Sequence, residues 1–243
     1  MATTRLPLDL DLFRTNLAEI EARALDAVRR REDGGDPQPP KIVIVSKYLE
    51  PVDCEVLRGE GIGPLGENRA QDLENKVGPS EDRDGWHFIG HLQRNKIQSV
   101  IPRIDTLHSL DSERLAGRID EWIEQRGNAP LRCLVQVNES GESSKGGLAP
   151  FEAQSQIPEW VERFSNLEIV GLMTMAREGE PEEARPVFRA LRELKNEIAA
   201  SLPESRSARF SELSMGMSAD FEVAVEEGAT LLRIGRILYT QKS

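Results

Sequence analysis

The sequence predicts a (β/α)8 barrel, and three observations lead there. Eight short runs with strand character recur along the chain, the first of them β-branched and apolar on both faces. Between them lie stretches whose apolar residues return at three- and four-residue steps, the spacing of a helix face. The length, 243 residues, is one at which such barrels commonly close as one unit. Strands alternating with helices imply parallel βαβ units. A doubly wound open sheet is the alternative arrangement of the same units.

Residues 8–31 read as a helix, because Leu10, Phe13, Leu17, Ile20, Ala24 and Val28 form one apolar stripe. The Gly and Pro of residues 32–40 break it and predict a loop. The first strand is KIVIVSK, residues 41–47, and a second ends near Leu65. The others are expected at residues 86–90, 106–110, 132–138, 168–175, 210–214 and 231–239. Leu115, Ile119 and Trp122 mark one intervening helix, and Val187, Leu191, Leu194, Ile198 and Leu202 another. Residues 221–227 fit a short third, with Ser218 as N-cap and Gly228 as terminator. Pro158 is expected to break or kink the segment 151–164. The whole is one domain, residues 1–243, with a helix added at its N-terminal side.

Composition narrows the function. With 31 basic and 42 acidic residues the net charge is −11, which disfavours nucleic acid and anionic membranes as partners. No run of about 18 apolar residues suggests a spanning helix. The two cysteines, Cys54 and Cys133, have no metal-ligand spacing and fit free thiols in a reducing cytoplasm. His87 and His91 would share one face of a strand with no third ligand nearby, so no metal site is expected. Met173 and Met175 are expected to fill core. Asn138 opens a glycosylation sequon without evident secretion.

In a barrel the chemistry sits at the C-terminal ends of the strands. Lys47 ends the first strand, where an apolar wall would lower its pKa and favour attack on carbonyls. Position alone leaves open a lysine that merely snorkels. After the seventh strand, SMGMSADFEVAVEEG combines Ser214, Gly216 and Ser218 with a helix start, a suitable setting for a phosphate. The eighth strand carries RIGR, so Arg233 and Gly235 share a face. Arg233 would need an acceptor, either a heteroaromatic nitrogen or a carboxylate. Reactive lysine, phosphate cradle and barrel together suggest pyridoxal 5′-phosphate (PLP).

At these residues the chain closely resembles the pyridoxal phosphate homeostasis protein family. The matching segments are IVIVSK, GENRAQDLENK, WHFIGHLQRNK, LHSLD, QVNESGESSKGG, GLMTM, LSMGMSADFEVAVEEGAT and RIG, in order from Lys41 to Gly235. The resemblance implies a single-domain barrel of fold-type III, like the barrel half of alanine racemase. It implies PLP held on Lys47 as a Schiff base, phosphate bound by Ser214 and the backbone near Met215, and closure of the cradle by Gly235 and Arg236. It further places Arg233 at the pyridine nitrogen and Asn68 beside the cofactor. Two departures stand out: Arg236 replaces the usual Thr or Ser, and LYTQKS replaces the usual terminal Phe-Gly.

The implied role is PLP binding and buffering in the cytoplasm, with delivery to apo-enzymes, by a non-catalytic and monomeric carrier. The alternative is a PLP-dependent amino-acid racemase. It would need acid/base groups on both faces of the substrate Cα, and Tyr48 and Tyr239 are the only tyrosines. A third class, a phosphosugar enzyme with an aldolase-type lysine, would hold no aldehyde cofactor. Lys145, in the SSKGG loop, is the second candidate anchor.

Overall fold

The computed structural model describes residues 5–31, 38–78, 83–139 and 146–241. Most of the loop expected at 32–40, the residues around Lys145 and the third position of the sequon lie outside them.

Eight parallel strands close into a barrel in sequence order. They are β1 (Lys41–Val45), β2 (Leu65–Glu67), β3 (Trp86–Phe88), β4 (Thr106–Leu110), β5 (Leu131–Gln136), β6 (Leu167–Met173), β7 (Glu212–Ser214) and β8 (Leu231–Ile234). Closure is made by β1 against β8, with Lys41 opposite Leu231 and Ile44 opposite Ile234. The helices among the described residues are α1 (Leu10–Arg29), α2 (Pro51–Gly59), α3 (Ala70–Lys76), α4 (Ile97–Val100), α5 (Glu113–Glu124), α6 (Pro150–Arg163), α7 (Arg185–Ser201), α8 (Glu204–Ser207) and α9 (Phe221–Glu226). The main core lies between strands and helices. A smaller apolar cluster of Val43, Leu134, Val170, Met173 and Leu231 fills the barrel interior.

Several expectations change in detail. β1 stops at Val45, and residues 46–48 form a 3-10 turn, so Lys47 sits on a turn and not in the strand. The second strand begins at Leu65 instead of ending there. β8 stops at Ile234 because Gly235 leaves the extended region (φ −123°, ψ −111°), and residues 236–238 turn as a 3-10 helix. Asp220, not Ser218, occupies the N-cap position of α9. Pro158 does not interrupt α6, which runs continuously from Pro150 to Arg163. An interior proline costs about 3 kcal/mol or more through its missing donor and ring clash, and burial of Ala153, Ile157, Trp160 and Val161 on one face offsets it. Both cysteines are buried, and burial pushes the Cys54 thiol up to about 12.

The N-terminal helix proves structural. A short 3-10 turn follows β8, and α1 packs against that turn and α9. It therefore occupies the barrel-side position of a helix after β8. Asn16 Nδ2 donates to the Leu238 and Thr240 carbonyls at 3.3 and 3.2 Å. Arg23 and Arg30 reach Glu222 and Glu226 on α9.

A buried ion pair ties β2 to α3. The Lys76 ammonium lies 2.6 Å from Glu67 Oε2, and both side chains are fully buried. Lys76 Nζ also donates to the Ser46 carbonyl at 2.8 Å. The carboxylate further accepts from Ser46 Oγ at 3.1 Å and from the Asn68 N–H at 2.8 Å. Removing one member leaves the other charge buried and alone. Lys76→Met is therefore expected to destabilise the fold by about 3–5 kcal/mol, measured by urea unfolding followed by circular dichroism. Adding Glu67→Gln should recover about half of that loss. A double variant no more stable than the single one would contradict the assignment.

Candidate functional site

The C-terminal mouth of the barrel opens on a cavity of about 710 Å³. Lys47, Asn68 and Arg233 all line it, although they lie far apart in sequence. Each reaches the cavity for a local reason. Lys47 is carried by the turn after β1, with its ammonium 5.1 Å from the centroid of the Tyr48 ring. The Leu6 N–H holds the Tyr48 carbonyl at 2.8 Å. Asn68 follows β2 directly, and its amide oxygen is buried with no hydrogen-bond partner. Arg233 stands on the inward face of β8.

Arg233 does not form the simple carboxylate pair that its burial might suggest. Its Nη1 donates to Ser214 Oγ at 2.7 Å and its Nη2 to the Thr174 carbonyl at 2.9 Å. Burial lowers its pKa to about 10, and the charge of Asp220 opposes that shift. It remains a cation and a donor at neutral pH.

The residues expected to bind phosphate divide into two groups. Ser214 is buried, and its hydroxyl lies between Arg233 and His108, 2.8 Å from His108 Nδ1. The Met215 N–H is engaged by the Leu231 carbonyl at 3.2 Å. The turn beyond them depends on Gly216, whose φ of +89° and close neighbour Ala224 exclude a side chain. Met217 lines the cavity, and its N–H donates to Asp220 Oδ1 at 2.6 Å. Gly235 leaves open space beside Tyr48, since a Cβ there would come 3.2 Å from the ring. Arg236 is exposed and opens the 3-10 turn after β8. Helix α9 is only six residues long, too short for its dipole to add much to these turns.

Other residues of the site escape pattern reading. Gln136 and Met175 line the cavity; Met173 fills core as expected, and Met175 packs against the same cluster while its other side faces the cavity. His91 stands exposed at the same mouth, 3.0 Å from Asp111. Its partner in spacing, His87, points into the barrel, where its Nδ1 lies 2.9 Å from His108 Nε2. Burial lowers the pKa of His87 to about 4 and holds His108 well below the usual range. A period-of-two reading of TLHSL puts His108 on the inward face with Thr106 and Leu110, and that signal could have found it. Glu67 was missed because the second strand was expected to end near Leu65, two residues before it. Lys76 lies three residues after the buried Leu73, on the same face of α3. Among the described residues, no cluster of three His, Cys, Asp or Glu could hold a metal ion. No described helix is long and apolar enough to cross a membrane.

Comparison with known proteins agrees with the barrel fold. The family described as the N-terminal domain of alanine racemase matches residues 84–243. The pyridoxal phosphate homeostasis protein of Aquifex aeolicus is 36% identical over 231 residues, covering 93% of this chain and 99% of its own. The human protein of the same name is 35% identical, covering 93% of this chain and 85% of its own. The structure of PipY from Synechococcus elongatus, solved with PLP bound, superposes with a TM-score of 0.77 at 28% identity. That match covers 94% of this chain and all of PipY. On the fold, the site and these relatives together, the chain belongs to the pyridoxal phosphate homeostasis protein family.

Proposed function

We propose that this protein binds pyridoxal 5′-phosphate covalently through Lys47 and acts in cytoplasmic PLP homeostasis, as a reservoir without robust turnover. The observation that carries this reading is the convergence of Lys47, Asn68 and Arg233 on one cavity at the C-terminal mouth. The names of the relatives and the PLP bound in PipY support it.

The residues present fit the cofactor. The buried amide oxygen of Asn68 lacks a partner, and such an atom calls for a ligand or water to satisfy it. Gly216 and Gly235 keep side chains out of the two loops where a phosphate would approach. The 3-10 turn after β8 first closes with Leu238 N–H on the Gly235 carbonyl. The preceding N–H groups of Arg236 and Ile237 therefore face the loop as candidate donors. When bound, PLP supplies an aldehyde that condenses with a primary amine and releases water. Lys47 offers that amine.

Arg233 explains restraint as well as binding. A guanidinium donates a hydrogen bond but does not surrender its proton near neutrality. At the pyridine nitrogen it would leave that nitrogen unprotonated, so the ring would withdraw electrons weakly and carbanions would gain little. Tyr239 gives its hydroxyl to the Val45 carbonyl at 3.0 Å, and Tyr48 packs beside Lys47 and Tyr239. Neither offers an obvious acid/base group opposite Lys47. One observation favours the racemase reading: His91, held by Asp111, lines the same cavity as Lys47. Delivery of PLP to apo-enzymes by a monomer belongs to the proposal and rests on the family role.

Visible absorption with added PLP tests the anchor. Wild type is expected to show the band of lysine-linked cofactor and Lys47→Ala to lose it while retaining phosphate-dependent binding. A band of equal strength in Lys47→Ala would move the anchor to another lysine, with Lys145 the next to substitute. Turnover separates the two functions. Interconversion of L- and D-alanine by the PLP-loaded protein is expected at background. A rate that disappears in His91→Gln but survives in Tyr48→Phe would replace the reservoir by a racemase.

A further inference from the structure

One contiguous polar chain runs through the barrel interior, and the reading above gives it no role. It begins at Arg233 in the candidate site and passes through Ser214 Oγ at 2.7 Å. It continues to His108 Nδ1 at 2.8 Å, and from His108 Nε2 to His87 Nδ1 at 2.9 Å. It ends where His87 Nε2 faces Asp105 Oδ1 at 3.3 Å. Asp105 lines a separate cavity at the opposite mouth, among the N-terminal ends of the strands. The chain therefore spans the barrel from one mouth to the other.

Its two ends settle its direction. A guanidinium can only donate, and a carboxylate can only accept. Arg233 uses one lone pair of Ser214 Oγ and leaves the second free, so the carboxylate end decides: with His87 Nε2–H aimed at Asp105, His87 Nδ1 accepts from His108, and His108 Nδ1 is left to accept the Ser214 proton. His108 must then carry its own proton on Nε2 and give it to His87 Nδ1. His87 carries its proton on Nε2 and directs it at Asp105. The first three links are hydrogen bonds with one donor and one acceptor each, the last is a charge contact that orients His87 Nε2–H, and both histidines are neutral.

We propose that His108 and His87 are positioning residues for Ser214 and Arg233, and that Asp105 sets the direction of the relay from the far mouth of the barrel. This rests on the cofactor reading only for what Arg233 and Ser214 then bind. The consequence at the site is specific. The Ser214 hydroxyl proton is turned inward, so Ser214 meets a ligand as an acceptor already engaged by Arg233.

The surroundings agree. Burial, not a neighbouring charge, is the main cause that keeps each imidazole neutral. The charged groups facing His87 are Asp105, Arg132, Lys41 and Glu212, and those facing His108 are Arg233 and Arg132. Asp105 is itself held in place. The Gly85 N–H donates to its Oδ2 at 2.8 Å, and Thr106 Oγ1 donates to its Oδ1 at 2.6 Å.

That geometry yields a reversal experiment. In Asp105→Asn the fixed Gly85 N–H requires an oxygen at the Oδ2 position, while the Thr106 hydroxyl can turn from donor to acceptor, so the amide nitrogen faces His87. His87 Nε2 must then accept, His87 Nδ1–H must donate to His108, and His108 Nδ1–H must donate to Ser214. One isosteric change at the far mouth inverts both tautomers.

The chain has three histidines, so long-range proton–nitrogen correlation spectra of the PLP-free protein resolve them, with His91 as the exposed control. Wild type is expected to show His87 and His108 as neutral Nε2–H tautomers from pH 5 to 8. Asp105→Asn is expected to show both as Nδ1–H. A charged or Nδ1–H imidazole in wild type, or unchanged tautomers in folded Asp105→Asn, would overturn the relay.

The positioning role is read by PLP titration. His108→Leu should weaken PLP binding by up to about tenfold, the worth of one neutral hydrogen bond. His108→Asn keeps an acceptor near the Nδ1 position and should stay within about twofold of wild type. Equal losses in the two variants would reduce His108 to packing. A wild type that binds no PLP would remove the cofactor reading and leave the tautomer result intact.

Discussion

A single buried carboxylate, that of Glu67, organises the mouth of this barrel. A charge withdrawn from water must be neutralised and its lone pairs filled. Glu67 meets both demands through Lys76, Ser46 and the Asn68 backbone. Those partners are the immediate neighbours of the functional residues, since Ser46 precedes Lys47 and Asn68 is itself in the cavity. Lys76 then ties the same turn to α3 through the Ser46 carbonyl. The lysine and the amide are therefore placed by one electrostatic knot rather than by two loops acting independently. Rigid placement of this kind is what a covalent anchor requires.

The barrel interior is the second organising feature. A packed apolar layer would suffice to hold the strands together, and Val43, Leu134, Val170 and Met173 supply part of one. Instead of continuing that layer, β3, β4, β7 and β8 contribute His87, His108, Ser214 and Arg233. A buried polar group is tolerable when each donor finds an acceptor. Here that condition is met by the chain that joins Arg233 to Asp105. The arginine that would control the electronics of the cofactor is thus fixed from behind, before any ligand arrives.

The barrel itself was legible because strand spacing and helix periodicity agree over most of the chain. The strand at Thr106–Leu110 was found to the residue. Boundaries went astray where backbone conformation, not side-chain pattern, decides. Ser46 and Lys47 follow KIVIV with no Gly or Pro to mark a boundary, yet the 3-10 turn begins at Ser46, whose hydroxyl bonds Gly66 and Glu67 across the sheet. Gly235 permitted a strand by pattern and ended it by geometry. Lys47, Asn68 and Arg233 were readable from strand ends and from family motifs. Lys76 and Asp105 were not, and His108 was readable only as an inward-facing side chain, because their meaning lies in partners supplied by other strands and helices. No local window contains both ends of such a contact.

Closure of the barrel by β1 and β8 carries a consequence for biosynthesis. β1 is the first strand to leave the ribosome and β8 the eighth, and only their pairing completes the ring. Until then one edge of KIVIV stays unpaired, an apolar template for wrong partners. At about 5–20 residues per second, that interval lasts on the order of ten seconds or more. Throughout it Lys47 is already made, but Arg233 and the Gly235 turn are not. A nascent chain can therefore expose the reactive amine without the pocket that would retain an aldehyde there. The complete mouth, with Lys47, Asn68 and Arg233 around one cavity, is thus a property of the finished barrel alone.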